Sequence, residues 1–283
     1  MANKRAKGID AGAVFGLVVG AGAIVGGLLI EGGGLRDILQ ESAAVIVLGG
    51  TLGAVALTMP FKVLKRAAGR IGSVLTAQSD DSAAIIEEIV AYAAKARKGG
   101  MVSLEPDVPN VADPFLRKAM SLAVDGVQLH ALRDLMELDM RMEDAENETD
   151  AKLFEAAGGY APTIGIIGAV IGLIQVMKHL NDLTKVGFGI AVAFVATIYG
   201  VAFANLFCLP AGQKIRYLGQ EAQRRRELML EGVSAMVEGM NPRLIRRKLQ
   251  SYVRDGSAEK AAPAAAPLHA VEPSVDPLAG QAR

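Results

Sequence analysis

Residues 156–177 read Ala156-Ala-Gly-Gly-Tyr-Ala-Pro-Thr-Ile-Gly-Ile-Ile-Gly-Ala-Val-Ile-Gly-Leu-Ile-Gln-Val-Met177, and this run decides the architecture. It holds no Asp, Glu, Lys, Arg or His. It exceeds the about 20 helical residues that cross a hydrocarbon core at about 1.5 Å each. In lipid such a run has to be helical, because its backbone groups must satisfy one another. Beyond the short connection Lys178–Lys185 comes a second charge-free run, Val186–Gln213. A matching pair precedes them: Ala11–Ile30 and Ser42–Phe61, joined by Glu31–Glu41. Four such runs are foreign to the core of a soluble domain. The expected fold is an all-α membrane protein. Its four transmembrane helices form two hairpins, with a helical cytoplasmic domain between spans two and three.

Composition agrees. Of 283 residues 51% are hydrophobic but only 5% aromatic, and Gly occurs 32 times. Small and aliphatic side chains suit helices packed closely in lipid. The formal net charge of zero says little, whereas its distribution sets the topology. Of the 30 Lys and Arg, only Arg36, Lys178 and Lys185 lie in the two short connections. The rest lie in the N-terminus, the middle segment and the region after Gln213, which the positive-inside rule places in the cytoplasm. Lys4, Arg5 and Lys7 precede the first run as a signal peptide's basic region would. That run is too long for a signal peptide and lacks a small-residue cleavage site after it, so it is expected to remain as a span. The expected location is a bacterial inner membrane, multi-pass, with both termini cytoplasmic.

The divisions follow: 1–10, cytoplasmic N-terminus; 11–61, first hairpin; 62–155, cytoplasmic helical domain; 156–213, second hairpin; 214–254, cytoplasmic C-terminal helices; 255–283, an Ala/Pro-rich tail with too little to bury for order. Within 62–155, Asp81 or Ser82 caps a helix that ends at Gly99-Gly100. Asp113-Pro114 starts another, closed by Gly126. The segment from Gln128 runs on into span three as one long helix, and its acidic stretch Glu143–Asp150 reads as a solvated face. After span four, Lys214–Glu238 reads as a basic amphipathic helix, and Asn241-Pro242 starts a last one reaching about Tyr252.

Several chemistries are absent. Cys208 is the single cysteine, and His130, His179 and His269 are far apart, so no metal-ligand spacing appears. No P-loop, nucleophile elbow or zinc-protease motif occurs. No catalysis, cofactor, resident metal or nucleic-acid partner is expected. A solute transporter would carry a polar site in the membrane, and none is visible. The spans hold no Asp, Glu, Lys, Arg or His, yet a protein that relays protons itself usually needs an ionisable group there. This chain could line an ion path only if a partner brought the carboxylate.

Some span residues invite a role. Gly165, Gly168, Ala169 and Gly172 give span three a small-residue side, and Gly189, Ala193, Thr197, Gly200 and Ala204 do so for span four. Such sides serve either internal packing or a partner helix. The Thr197 hydroxyl either solvates an ion or bonds back to its own helix. Pro162 and Pro210 lie near the cytoplasmic ends of spans three and four, at similar expected depth, where they are either ordinary helix-end prolines or a hinge.

The stretch Ala161-Pro-Thr-Ile-Gly-Ile-Ile-Gly-Ala-Val-Ile-Gly-Leu-Ile174 resembles the third span of MotA/PomA-type flagellar stator subunits. Gly189-Ile-Ala-Val-Ala-Phe-Val-Ala-Thr-Ile-Tyr-Gly200, followed by Asn205 and Pro210, resembles their fourth. Ala96-Arg-Lys-Gly-Gly-Met-Val-Ser-Leu-Glu105 is similar to a cytoplasmic loop motif of that family, and Glu231-Gly-Val-Ser-Ala-Met-Val-Glu-Gly-Met-Asn-Pro-Arg243 to its C-terminal motif. The likeness runs from about residue 10 to residue 254. It implies a homopentamer of this chain around two copies of a MotB/PomB-type B subunit. The B subunit carries one membrane helix with an Asp and a peptidoglycan-binding domain. Ion flow at that Asp would turn the ring against the anchored B dimer, and the cytoplasmic loops would push the flagellar rotor's switch-ring protein, with membrane lipid around the whole. The resemblance places rotor contacts at Arg97 and Glu105 and conformational coupling at Pro162 and Pro210.

The family's sodium-driven members carry Thr where this chain has Ala169 and Ala196. The resemblance therefore implies an ion path lined by Thr197, Ala169 and Ala196 that carries H+, with Na+ as the alternative. A TolQ/ExbB-type subunit energising envelope processes is the nearest competing reading. Those subunits lack the leading hairpin. A non-conducting membrane scaffold is a further alternative.

Overall fold

The computed structural model describes residues 8, 10–76 and 81–258. Helix α1 spans Ala11–Ile30, and Asp10 caps it, its Oδ1 accepting from the backbone N–H of Gly12 and Ala13 at 3.0 and 3.1 Å. A short turn, Leu35–Ile38, leads to α2, Glu41–Thr58. Helix α2 ends at Thr58, two residues before Pro60, because the residue preceding a proline is driven to extended backbone, and Met59 has φ −132° and ψ 141°. Span two therefore stops short of the expected Phe61. Phe61 instead opens α3, Phe61–Val74, an amphipathic helix absent from the sequence reading.

Helix α4, Ser82–Gly99, follows Asp81 and stops at Gly100, whose φ of +77° is left-handed. Helix α5, Pro114–Val124, is capped as expected: Asp113 Oδ1 accepts from the N–H of Phe115 and Leu116, and Gly126 turns away with φ +76°. Helix α6 runs unbroken from Leu129 to Lys178, 50 residues, joining the domain to span three. Helix α7 does the same for span four, 55 residues from Leu183 to Val237. The amphipathic helix expected from Lys214 is continuous with span four. Pro210 lies inside this helix, directly after a π-helical segment. Helix α8, Pro242–Ala258, extends past the expected end near Tyr252. The tail beyond it and the residues before Gly8 lie outside the described residues.

Helices α6 and α7 form the spine. Their small residues face each other: a Cβ on Gly172 would meet the Ala193 nitrogen and the Gly189 oxygen at 2.8 Å, and one on Gly200 the Ala161 oxygen at 2.5 Å. The small-residue sides therefore pack mainly within this chain. Span two lies over them, with Ala43 and Val47 against Val195 and Ala196. The Leu35–Ile38 turn is fastened by Tyr199, whose hydroxyl donates to the Ile38 oxygen at 2.6 Å. Tyr199 lies about four turns into α7, so the second hairpin projects beyond the first. Away from the membrane, Ile85, Ile89, Leu104, Leu116, Met120, Leu132, Met136, Met229, Val233, Ile245 and Leu249 build the core of the domain.

The seam generates a prediction. Gly200→Val should destabilise the protein by about 1–3 kcal/mol, the usual cost of overpacking. Gly187→Ala, where nothing lies within 4 Å, should not. Melting temperatures of the two variants in one detergent decide it.

Candidate functional site

The residues singled out in the membrane do not lie on one surface. Ala196 is fully buried, its methyl against Gly168, so it shapes the seam rather than facing outward. Thr197 and Ala169 are half-buried. The Thr197 hydroxyl donates to the Ala193 oxygen at 3.2 Å. It is thus bonded back to its own helix while its oxygen still accepts. Around them the outer sides of α6 and α7 are exposed and apolar: Ile166, Ile167, Val170, Ile174, Phe188 and Phe194.

The two prolines are at different depths, which corrects the expectation of matching positions. Pro162 lies level with Gly200: a Cβ there would meet the Pro162 Cα at 3.1 Å. Pro210 follows Leu209, which packs on Gly158, so it sits nearer the domain. Along α6, Gly158 is four residues, about 6 Å, from Pro162, so the two prolines differ in height by about one helical turn. Between them α7 widens into a π-helical segment, Phe203–Cys208. Pro210 has no N–H for the Leu206 carbonyl, so the widened turn and the missing bond fall at one place. A second π segment, Val45–Gly49, lies in α2 beside Gly168, which touches Ile46. Sequence periodicity carries no signal for either.

At the other end of the chain, Arg97 and Glu105 flank one turn. Arg97 is in the last turn of α4, and Glu105 follows the 3-10 turn Met101–Leu104. Both are exposed. Buried Leu104 and the Lys95–Asp107 pair at 2.5 Å fix the base of this tip, and Val102 stands 67% exposed on it. The structure thus brings the two expected rotor-facing residues to one small surface.

Between membrane and tip lies a ladder of ion pairs, where the sequence reading had placed a solvated acidic face. Asp150 is fully buried; Arg66 Nε donates to its Oδ1 at 2.9 Å, and Arg70 Nε lies 3.3 Å from Oδ2. Arg66 also reaches Glu146 at 3.1 Å. Arg216 bridges Glu148 and Glu155 at 2.9 and 2.7 Å, and Arg226 pairs with Glu143. The physical reason is helical period: Glu143, Asn147, Asp150 and Phe154 fall on one face, which turns toward α3 and α7. Arg216's hydrogen bond holds the Glu148 carboxyl below its ordinary range, and the two glutamates push the Arg216 pKa up. Further down, Glu231 joins α6 and α8 through Arg133 at 3.0 Å and through Lys248. Burial raises its pKa, but the bond from Lys248 and the charge of Arg133 outweigh this and leave it lowered.

Among the described residues no group of His, Cys, Asp and Glu is placed to hold a metal ion. Two family models match the chain: the Motility protein A N-terminal model over residues 14–100 and the MotA/TolQ/ExbB proton channel family over residues 107–228. Motility protein A of Bacillus subtilis (strain 168) is 30% identical over 249 residues, 87% of this chain and 91% of that protein. The chain belongs to the motility protein A family. Its fold matches the C. jejuni MotAB structure with a TM-score of 0.82 at 26% identity, over 86% of this chain and 96% of that one. It matches the Bacillus subtilis flagellar MotAB stator complex with 0.78 at 30%, over 88% and 98%. The N-terminal match covers the leading hairpin that separates this motility protein A from the TolQ/ExbB alternative.

The Glu231 junction gives a pH prediction. A lowered carboxyl pKa adds stability that is complete above the ordinary value of 4.5 and is lost as pH falls through the folded-state value. Glu231→Gln should therefore be less stable than the native protein at pH 7, and the gap should narrow on acidification below 4.5. Thermal unfolding across that pH range measures it; a gap independent of pH would contradict it.

Proposed function

We propose that this chain forms a ring of five around two single-span B subunits in the bacterial inner membrane. In this reading both termini are cytoplasmic, the ring carries protons, and it works on the rotor through the Arg97–Glu105 tip. As a motility protein A, the chain is an ion-channel subunit of the flagellar stator. The observation that carries the reading is the exposed, apolar and uncharged outer surface of α6 and α7. An ion crossing there must meet a carboxylate, and none of the four spans supplies one. A partner helix bearing an Asp against these spans completes the path. The MotA–MotB pairing in the related solved complexes supports that assignment.

Mechanistically, the B subunit's carboxylate would take a proton from the outer side and release it inward beside Thr197 and Ala169. Thr197, with its hydrogen already given to Ala193, offers an acceptor for one water. Ala169 offers no oxygen, and Ala196 is in the seam. Sodium would need several oxygens to replace its hydration, and this surface is poor in them. The seam binds α6 to α7, so a shift of α6 at Pro162 is borne by α7 at its π segment. The unbroken helices then carry it to the domain.

Two outcomes are expected. Swimming speed at fixed pH should survive replacement of external sodium by potassium and collapse with a protonophore; the reverse pattern overturns the proton assignment. Arg97→Glu should leave membrane assembly intact and weaken rotor engagement by up to about fivefold, since one exposed pair contributes about 1 kcal/mol at most. A charge reversal on the rotor should partly restore swimming. Unchanged motility of the Arg97→Glu, Glu105→Lys double variant would sink the contact.

A further inference from the structure

Helix α3 lies along the membrane edge, since both its ends are pinned to the same side of the spans. It begins at Phe61, directly after span two ends at Thr58. At its other end the Leu75 oxygen accepts from the N–H of Asp10, which caps span one. Lys214, just past the foot of span four, donates to Asp10 Oδ2 at 2.6 Å. A helix of 14 residues, about 21 Å long, is thereby laid across the feet of three spans.

Its two faces differ. Val63, Leu64, Ala67, Ile71 and Val74 pack inward against the cluster around Ala151, Phe154 and Ile215. On the flank, Arg66 and Arg70 are taken by Asp150. On the open side stand Phe61, Lys62 and Lys65, with Gly69 and Gly72, beside which nothing lies within 4 Å. Phe61 is 81% exposed, and Leu57, one turn earlier, is 90% exposed. The helix contains no acid, and neither lysine has an acidic partner among the described residues. Two unpaired ammonium groups, an exposed aromatic ring and bare backbone at a membrane edge match a phospholipid headgroup bearing net negative charge. In such a match the ring would sit among acyl chains and the lysines would reach the phosphate.

We propose that the open face of α3 binds anionic phospholipid through Lys62 and Lys65, with Phe61 as the apolar anchor. This rests on the chain's membrane topology and not on the stator reading. The test uses the full-length protein, purified as the oligomer it forms. It is equilibrated in detergent with equal amounts of phosphatidylglycerol and phosphatidylcholine, and retained lipid is counted by native mass spectrometry. The native protein should retain phosphatidylglycerol in preference. The Lys62→Gln, Lys65→Gln variant should lose that preference by roughly thirtyfold, the scale expected of two lysines at an anionic surface. The exposed pair Arg243→Gln, Arg247→Gln on α8 should keep it. Equal retention of both lipids by the native protein, or an unchanged preference in the lysine variant, would overturn the site. So would equal loss in the α8 variant, which marks a non-specific charge effect, or displacement of the lipid by excess inorganic phosphate. A lysine variant that changes subunit number while keeping its lipid would show that a neighbouring copy covers this face, and would overturn it too.

Discussion

The close approach of α6 to α7 is the constraint on which the other contacts depend. In lipid, apolar side chains gain nothing from leaving apolar solvent, so helices associate through tight packing of small residues. At Gly172 and Gly200 the facing backbone leaves no room for a methyl group. Because both helices continue far outside the membrane, the register set at this seam also sets the register of the ion pairs below it. Gly212 against Ala151 and Gly219 against Asn147 extend the same close approach past the membrane edge. Span two is laid on the seam, and α1, with no buried residue, touches the rest mainly at its ends and at Gly20. The second hairpin is therefore the frame, and the first is its lipid-facing cover.

A pair of long helices transmits displacement only if it is stiff nearly everywhere and soft at few places. The ladder of Asp150, Glu148, Glu155 and Glu143 with arginines from α3 and α7 supplies stiffness below the membrane. Asp150 matters most, since a fully buried carboxylate held by two guanidinium groups is costly to leave unpaired, about 3–5 kcal/mol for a fully buried pair and less where, as here, the arginines stay partly exposed. The departures from regular α-helix lie between Pro162 in α6 and Pro210 in α7, where α7 forms the π segment Phe203–Cys208. The two prolines are staggered, so a bend at one is met by a widened turn between them rather than by a second bend at the same level.

Much of this was legible in the sequence, for local reasons. Four charge-free runs, the Asp113-Pro114 start, the stops at Gly100 and Gly126 and the fusion of domain helix to span three all follow from composition and short-range stereochemistry. What escaped was set by partners distant in the chain. Arg66 and Asp150 are 84 residues apart, and Arg216 and Glu148 are 68 apart, so an acidic stretch looked solvated when it was paired. Helix α3 escaped because an apolar run was carried one residue past Pro60, which hid the start of a new helix at Phe61. The proline depths were misjudged because equal distance from a helix end is not equal height once helices cross and one contains a π segment. At the site, Ala196, expected along the ion path, turned inward, because which side of span four faces span three depends on packing. Tyr199 carried a weak signal, a hydroxyl in an apolar helix, and its role in fastening the Leu35–Ile38 turn appears only in three dimensions.

Charge placement ties these parts together. The spans are free of ionisable groups, and a charge inside the hydrocarbon would be expensive wherever it lacked a partner. Charges begin abruptly at the membrane edge: Asp10 with Lys214, Arg66 and Arg70 with Asp150, Arg216 with Glu148 and Glu155. In water each exposed pair contributes little, but several on adjacent packed helices share the ordering cost that a single pair bears alone. The result is a collar that resists sliding of α6 along α7. The membrane part is left uncharged and able to accommodate a charged neighbour. An ion arriving on a partner's carboxylate then meets no competing charge from this chain. The apolar outer side of α6 and α7, held in register by the collar, thus carries no charge of its own.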